Sequence, residues 1–151
     1  METALVRIYK ELDKWKHRHL LLLADEQESM VEKYLASGTM YVLEDSGVKA
    51  ECVVTDEGNH VLEIKNIAVM PKSQGYGYGK KLIGFLVKQY AGNYDYIQGG
   101  TGDSPLTIPF YEHCGFTRYD VRKNFFLDNY DHVIVEGGKQ LVDMVLLHRK
   151  I

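Results

Sequence analysis

Two hydrophobic periods follow one another along this chain. Between Thr39 and Val69, three runs (TMYVLED, VKAECVVT and HVLEIKNIAV) carry β-branched and aromatic residues and are separated by Ser46-Gly47 and Glu57-Gly58-Asn59. Strand-forming runs broken by turn pairs at that spacing predict an antiparallel meander. From about Gly79 to Tyr90 the period lengthens, so that Leu82, Ile83, Leu86, Val87 and Tyr90 fall on one stripe of an amphipathic helix. The buried-looking run YDYIQGGTG comes next. Strand, helix and strand in that order predict a right-handed parallel crossover.

The ends complete the pattern. Leu5 to Leu12 reads as a first strand, and Asp13 to Ala36 has helical spacing through Trp15, Leu20, Leu22, Leu23, Met30, Val31, Tyr34 and Leu35, taken as two helices stopped by Gly38. After the crossover a short helix is expected around Ser104 to Cys114, then a strand from Phe116, a loop-rich stretch, and a last strand near Val142 to His148. With no repeat, low-complexity tract or linker, residues 1–151 are read as a single domain. The expected class is α/β with mixed α+β character: a central, mostly antiparallel twisted sheet with helices on both faces.

Composition narrows the chemistry. A formal charge of -3 argues against bulk nucleic-acid or anionic-membrane binding, so any anion site has to be local. The apolar run Leu20 to Ala24 is too short for a membrane span or a signal-peptide core, and a cytoplasmic protein is expected. Cys52 and Cys114 lack C-x-x-C spacing and read as packed, reduced thiols. The histidines form no i, i+4 pair, so no metal site is expected, and His17 and His19 are assigned to solvent. His113 and Cys114 are neighbours in a helix and do not face each other, which argues against a thiol nucleophile.

The candidate chemistry lies in QGYGYG, residues 74–79, between a strand and a helix. Glycines let main-chain N–H groups converge on a ligand, and the helix that follows adds unsatisfied N–H groups and the positive end of its dipole. Lys80 and Lys81 in the first helical turn oppose that dipole unless an anion sits there, and Lys72 stands before the turn. Neither the Walker pattern nor G-x-G-x-x-G is met. What is met is Q-x-x-G-x-G, through Gln74, Gly77 and Gly79, directly after NIAVMP.

That stretch resembles the acyl-CoA pyrophosphate loop of the GNAT superfamily of N-acetyltransferases. A second stretch, FYEHCGF, places Tyr111 32 residues beyond Gly79 and resembles the family's Tyr-x-x-x-Gly-Phe motif. The likeness covers about Thr39 to Tyr119, and both ends resemble small bacterial members. It implies an acetyl-CoA-dependent N-acetyltransferase of GNAT-like fold. Pyrophosphate contacts are implied for Gln74, Gly75, Tyr76, Gly77, Tyr78, Gly79 and Lys80, and pantetheine contacts for Ile67, Ala68 and Val69. Ser104 stands where relatives carry a cofactor-contacting asparagine; as a cap it would make Pro105 the first helical residue. Pro109 then requires that this helix be kinked or start late.

Tyr111 matches the tyrosine that protonates the leaving thiolate, and Glu63 stands where several members carry a general-base glutamate. Strand alternation sets Glu63, Lys65 and Ile67 on one side and Leu62, Ile64 and Asn66 on the other. The stretch KNFFLDNYDHVIVEGGKQ brings Phe125, Phe126 and Tyr130 beside Asp128, Asp131 and Glu136. Such a surface suits a cationic acceptor, although a solvated loop with its aromatics in the core accounts for it as well. The expectation is acetyl transfer to a primary amine of a small molecule by direct attack in a ternary complex, with no nucleic-acid or membrane partner and a homodimer allowed for. The competing readings are a non-catalytic acyl-CoA sensor or interaction module, and a lysine or N-terminal protein acetyltransferase.

Overall fold

The computed structural model describes residues 5–151. Strand β1 (Arg7–Glu11) leads through a 3-10 turn, Lys14–His17, into helices α1 (Arg18–Ala24) and α2 (Glu28–Leu35). The meander follows as β2 (Thr39–Glu44), β3 (Val48–Asp56) and β4 (Val61–Val69), then α3 (Tyr78–Tyr90) and β5 (Tyr96–Gly102). Helix α4 (Ile108–His113), strand β6 (Thr117–Arg122), helix α5 (Phe125–Asn129), the short pair β7 (Val135–Glu136) and β8 (Lys139–Gln140), and β9 (Met144–Lys150) complete the chain.

Seven strands form a sheet in the order β1-β2-β3-β4-β5-β9-β6, in which only β4 and β5 run parallel. This is the mostly antiparallel mixed sheet that the pattern predicts. The α3 stripe of Leu82, Ile83 and Leu86 packs on one face with Leu43, Cys52, Ile64 and Ile97. On the other face Leu21, Val31 and Leu35 of α1 and α2 cover Met40, Val42 and Val53. A smaller cluster, Phe126, Ile134 and Leu141, lies under α5. No helix among the described residues is long and apolar enough to cross a membrane.

The N-terminal helices depart from their expected phase. Leu20 and Leu21 are the fully buried residues of α1, while Leu23 and Trp15 are exposed. Four consecutive leucines carry no phase of their own, and the 3-10 turn before α1 sets it. That turn also takes His17 inside, where its Nε2 lies 2.8 Å from Glu11 Oε2, so His17 does not face solvent. Lys14 ties the same turn to the end of α2 by donating to the carbonyls of Leu35 at 2.7 Å and Gly38 at 2.6 Å.

Strand β4 breaks the expected alternation. Val53 pairs with Asn66 but Val54 pairs with Ile64, which leaves Lys65 as the surplus residue of a β-bulge. Ile67 and Val69 are thereby returned to the α3 face with Leu62 and Ile64. Asn66 points the other way, its amide donating to the Leu21 carbonyl at 2.9 Å. Pairing of β4 with β5 runs from Val61–Tyr96 to Ile64–Gly99 and stops at the bulge. From there the two parallel strands diverge.

Candidate active site

The divergence opens a cleft of about 660 Å3, walled by Ile67, Ala68 and Val69 of β4, the turn at Gln74 to Lys80, and Phe110 and Tyr111 of α4. Among the described residues, strand β4 past Lys65 is paired only with β3, so its other edge offers unpaired main-chain groups to the cleft. Gly75 and Gly77 have φ of 88° and 79°, a left-handed conformation that side chains disfavour. The N–H groups of Gly75, Tyr76, Gly77, Tyr78, Gly79 and Lys80 have no acceptor among the described residues. Six consecutive unsatisfied donors at a helix start form an anion cradle.

The third glycine of the turn answers a steric need. A Cβ on Gly79 would lie 2.8 Å from Cε1 of Phe110, so glycine lets the start of α3 close against α4. The Tyr78 hydroxyl donates to Asp45 Oδ2 at 2.6 Å and anchors the turn to the β2–β3 hairpin. The Tyr76 ring is 69% exposed and does not line the cleft.

Ser104 is also off the cleft wall. It is buried, its Oγ accepts from Leu106 N–H at 3.1 Å, and α4 begins only at Ile108 with Thr107 at the capping position. The expected cap by Ser104 with Pro105 as first helical residue is therefore corrected: a local turn precedes the helix. The late start places Pro109 in the first turn, where no intrahelical N–H is required.

Tyr111 is brought to the cleft through close contact with β5, where Gly99 leaves room for its ring. Burial first, and the nearby Glu63 charge second, hold its phenol above the ordinary range, so the hydroxyl is a proton donor at neutral pH. Burial also pushes up the Cys114 thiol, which argues further against a thiolate there.

Beyond the bulge lies a second cavity of about 480 Å3 on the α1 and α2 face, and it holds Glu63. The side chain of Glu63 is only 6% exposed and bridges to Lys65, with Arg122 Nη2 3.9 Å away. The Gln98 amide donates to Oε1, so both oxygens are occupied. The chamber shares Leu23, Ala24, Ile64, Lys65, Gly100 and Thr101 with the cofactor-sized cleft. The exposure of Leu23 is thus exposure to these cavities. Phe125, Phe126, Tyr130 and Glu136 of the acidic and aromatic stretch line the chamber too, with Phe126 buried in it as part of α5.

Several wall residues were not singled out from the sequence. Asp25 accepts from the hydroxyls of Tyr130 at 2.7 Å and Tyr34 at 3.2 Å. Burial raises its pKa despite those donors. Asn66 donates to the Tyr34 oxygen at 3.0 Å. Glu51, fully buried in the core below, has no hydrogen-bond partner on either oxygen among the described residues, and burial pushes its pKa up to about 8.

The model of the acetyltransferase (GNAT) domain matches residues 36–118. Over 135 residues the chain is 37% identical to YvbK, an uncharacterised N-acetyltransferase of Bacillus subtilis strain 168, covering 85% of each protein. Among solved structures, a GNAT family acetyltransferase from Elizabethkingia anophelis with acetyl-CoA bound superposes with a TM-score of 0.91 at 33% identity, covering 97% of this chain and 98% of that one. An IAA acetyltransferase from Bacillus cereus superposes with a TM-score of 0.90 at 31% identity, covering 97% and 100%. A splayed parallel pair, a glycine cradle at a helix start and full-length relatives of one kind converge: this chain belongs to the GNAT family, as an N-acetyltransferase whose acetyl donor is acetyl-CoA.

Proposed function

We propose that the protein acetylates a primary amine of a small molecule, which enters through the chamber and reacts at the Lys65 bulge by direct attack in a ternary complex. The observation that carries this reading is the common wall of cleft and chamber, since two reactants held in adjoining cavities meet without diffusing. The chamber, at about 480 Å3, is a pocket about the size of a small molecule, which favours a compact acceptor over an extended polypeptide.

The residues present fit acetyl-CoA. The unsatisfied N–H groups from Gly75 to Lys80 suit pyrophosphate oxygens, and the free edge of Ile67 to Val69 suits an arm bearing amide groups. Bound there, acetyl-CoA supplies the activated acetyl carbonyl. The chain's own residues orient the reactants and manage protons. Tyr111, held protonated, stands to give its proton to the departing thiolate. Glu63 stands at the chamber wall to receive the acceptor's proton through water, because Lys65 and Gln98 occupy its oxygens. Net transfer turns an ammonium and a thioester into an amide, a thiol and one released proton. We assign the reaction to the cytoplasm, a reading that the two free, buried cysteines support.

The test is acetyl-CoA calorimetry followed by thiol release with a panel of primary amines. Acetyl-CoA binding with amine-dependent thiol release is the expected result. Binding with no release for any amine would leave a non-catalytic acyl-CoA sensor as the better description.

A further inference from the structure

Carboxylates outnumber cations along the chamber wall. Asp25, Glu26, Asp56, Glu57, Glu63 and Glu136 stand against Lys33, Lys65 and Arg122. Most of these charges are already matched. Lys65 bridges Glu57 and Glu63, Arg122 approaches Glu63, and Glu26 pairs with His132 at 2.8 Å.

Asp25 is different. No cation lies within ion-pair distance of it among the described residues, and its only side-chain partners are two neutral phenols. The hydrogen bonds around it run in one direction. The Asn66 amide donates to Tyr34, which leaves the single Tyr34 proton for Asp25 Oδ2, while Tyr130 donates to Oδ1. Each oxygen is thus an acceptor, and α2, β4 and the segment after α5 fix the carboxylate in place. A half-buried carboxylate facing a cavity without a counter-ion is incomplete until a cation enters.

The entering cation is not the reacting nitrogen. A carboxylate that pairs with an ammonium stabilises its charged form, whereas attack on a carbonyl needs the neutral amine. The group that Asp25 holds has to keep its charge through the reaction. Ala24, immediately before Asp25, lines both cavities, so the anchor stands close to the point where they join.

Resting on the reading of amine transfer above, we infer that the acceptor carries a second, non-reacting positive group, and that Asp25, oriented by Tyr34 and Tyr130, binds it. The acceptor class is then a di- or polycationic amine. Asp25 sets specificity, and Tyr34 and Tyr130 are positioning residues.

The experiment measures thiol release from acetyl-CoA with a series of α,ω-diaminoalkanes, three to eight carbons long, each against the n-alkyl monoamine of equal length. The wild type is expected to prefer the diamine at one or more lengths by roughly 10- to 100-fold in kcat/KM, as charged hydrogen-bond pairs produce. Asp25→Asn should bring that ratio near one, chiefly through KM. Tyr130→Phe should lower it partway, and acetyl-CoA calorimetry on both variants reports that the fold is intact. Equal use of diamines and monoamines at every length overturns the inference while leaving amine transfer standing. A diamine preference that survives Asp25→Asn overturns the assignment of the anchor. Failure to acetylate any amine, with acetyl-CoA bound normally, overturns the underlying reading of the reaction and this inference with it.

Discussion

The ring of Tyr111 rests against the α-carbon of Gly99: a Cβ built at Gly99 would lie 2.7 Å from both Cε1 and Cζ of the tyrosine and 2.9 Å from its hydroxyl oxygen. A position on β5 thus fixes where the proton donor of α4 can sit. Gly99→Ala forces the ring away from the strand in a packed core, a change that costs about 1–3 kcal/mol of stability. Turnover should fall at least tenfold while the sheet is retained. Steady-state rates beside urea unfolding of the variant check this, and a wild-type rate would detach the ring position from catalysis.

Tyr111→Phe keeps the packing and removes only the proton. Acetyl-CoA affinity should stay within about threefold of wild type, while kcat falls by roughly 100-fold, the usual scale of general-acid assistance. Calorimetry and thiol-release kinetics separate the two. An equal loss in both would make the residue a part of the binding wall.

The three glycines of the turn should respond differently from a glycine one turn further on. Gly77→Val places a branched side chain at a φ of 79° and should weaken acetyl-CoA binding by more than tenfold. Gly84 lies in α3 with nothing within 4 Å of an added Cβ and no positive φ. Gly84→Ala should therefore raise stability by about 0.5–1 kcal/mol with unchanged cofactor affinity. Denaturant midpoints and calorimetry on the two variants make the comparison.

Glu51 makes stability depend on pH in an unusual direction. Burial lifts its folded-state pKa to about 8, far above that of an unfolded glutamate, so the folded protein binds the extra proton across that interval. The benefit is complete below the unfolded pKa and is lost as pH rises through about 8. The unfolding free energy should fall by up to about 1.4 kcal/mol per pH unit across that window. Glu51→Gln should flatten this slope and be the more stable form at high pH. Urea titrations between pH 5 and 9 test it, and parallel profiles for the two proteins would contradict the burial of an unpaired carboxyl.

The parts of the site that were legible in the sequence are those with a local cause. QGYGYG reads as a glycine turn that gathers main-chain N–H groups at a helix start, and the turn does open α3, with Gly75 and Gly77 in left-handed backbone. The stripe of Leu82, Ile83 and Leu86 declared the buried face of α3, and the order around it declared the crossover. What escaped has its cause elsewhere in the chain. HVLEIKNIAV contains no glycine or proline to mark a bulge, so Lys65 looked like one more alternating residue until its pairing with β3 was known. His17 is buried because Glu11 waits for it. Asp25 gains its setting from Tyr130, 105 residues away, and no spacing rule reaches that far.

The surplus residue in β4 has an evolutionary consequence. Because side chains alternate along a strand, straightening the bulge with Lys65 retained would turn Ile67 and Val69 out of the α3 core and turn Asn66 and Ala68 into it. The doorway between β4 and β5 is therefore guarded by the oily pattern around it, independently of any residue that touches a reactant. Descendants of this chain are free to rewrite the lining at Asp25, Tyr34 or Tyr130 and adopt new acceptors, since the opening itself is inherited with the core.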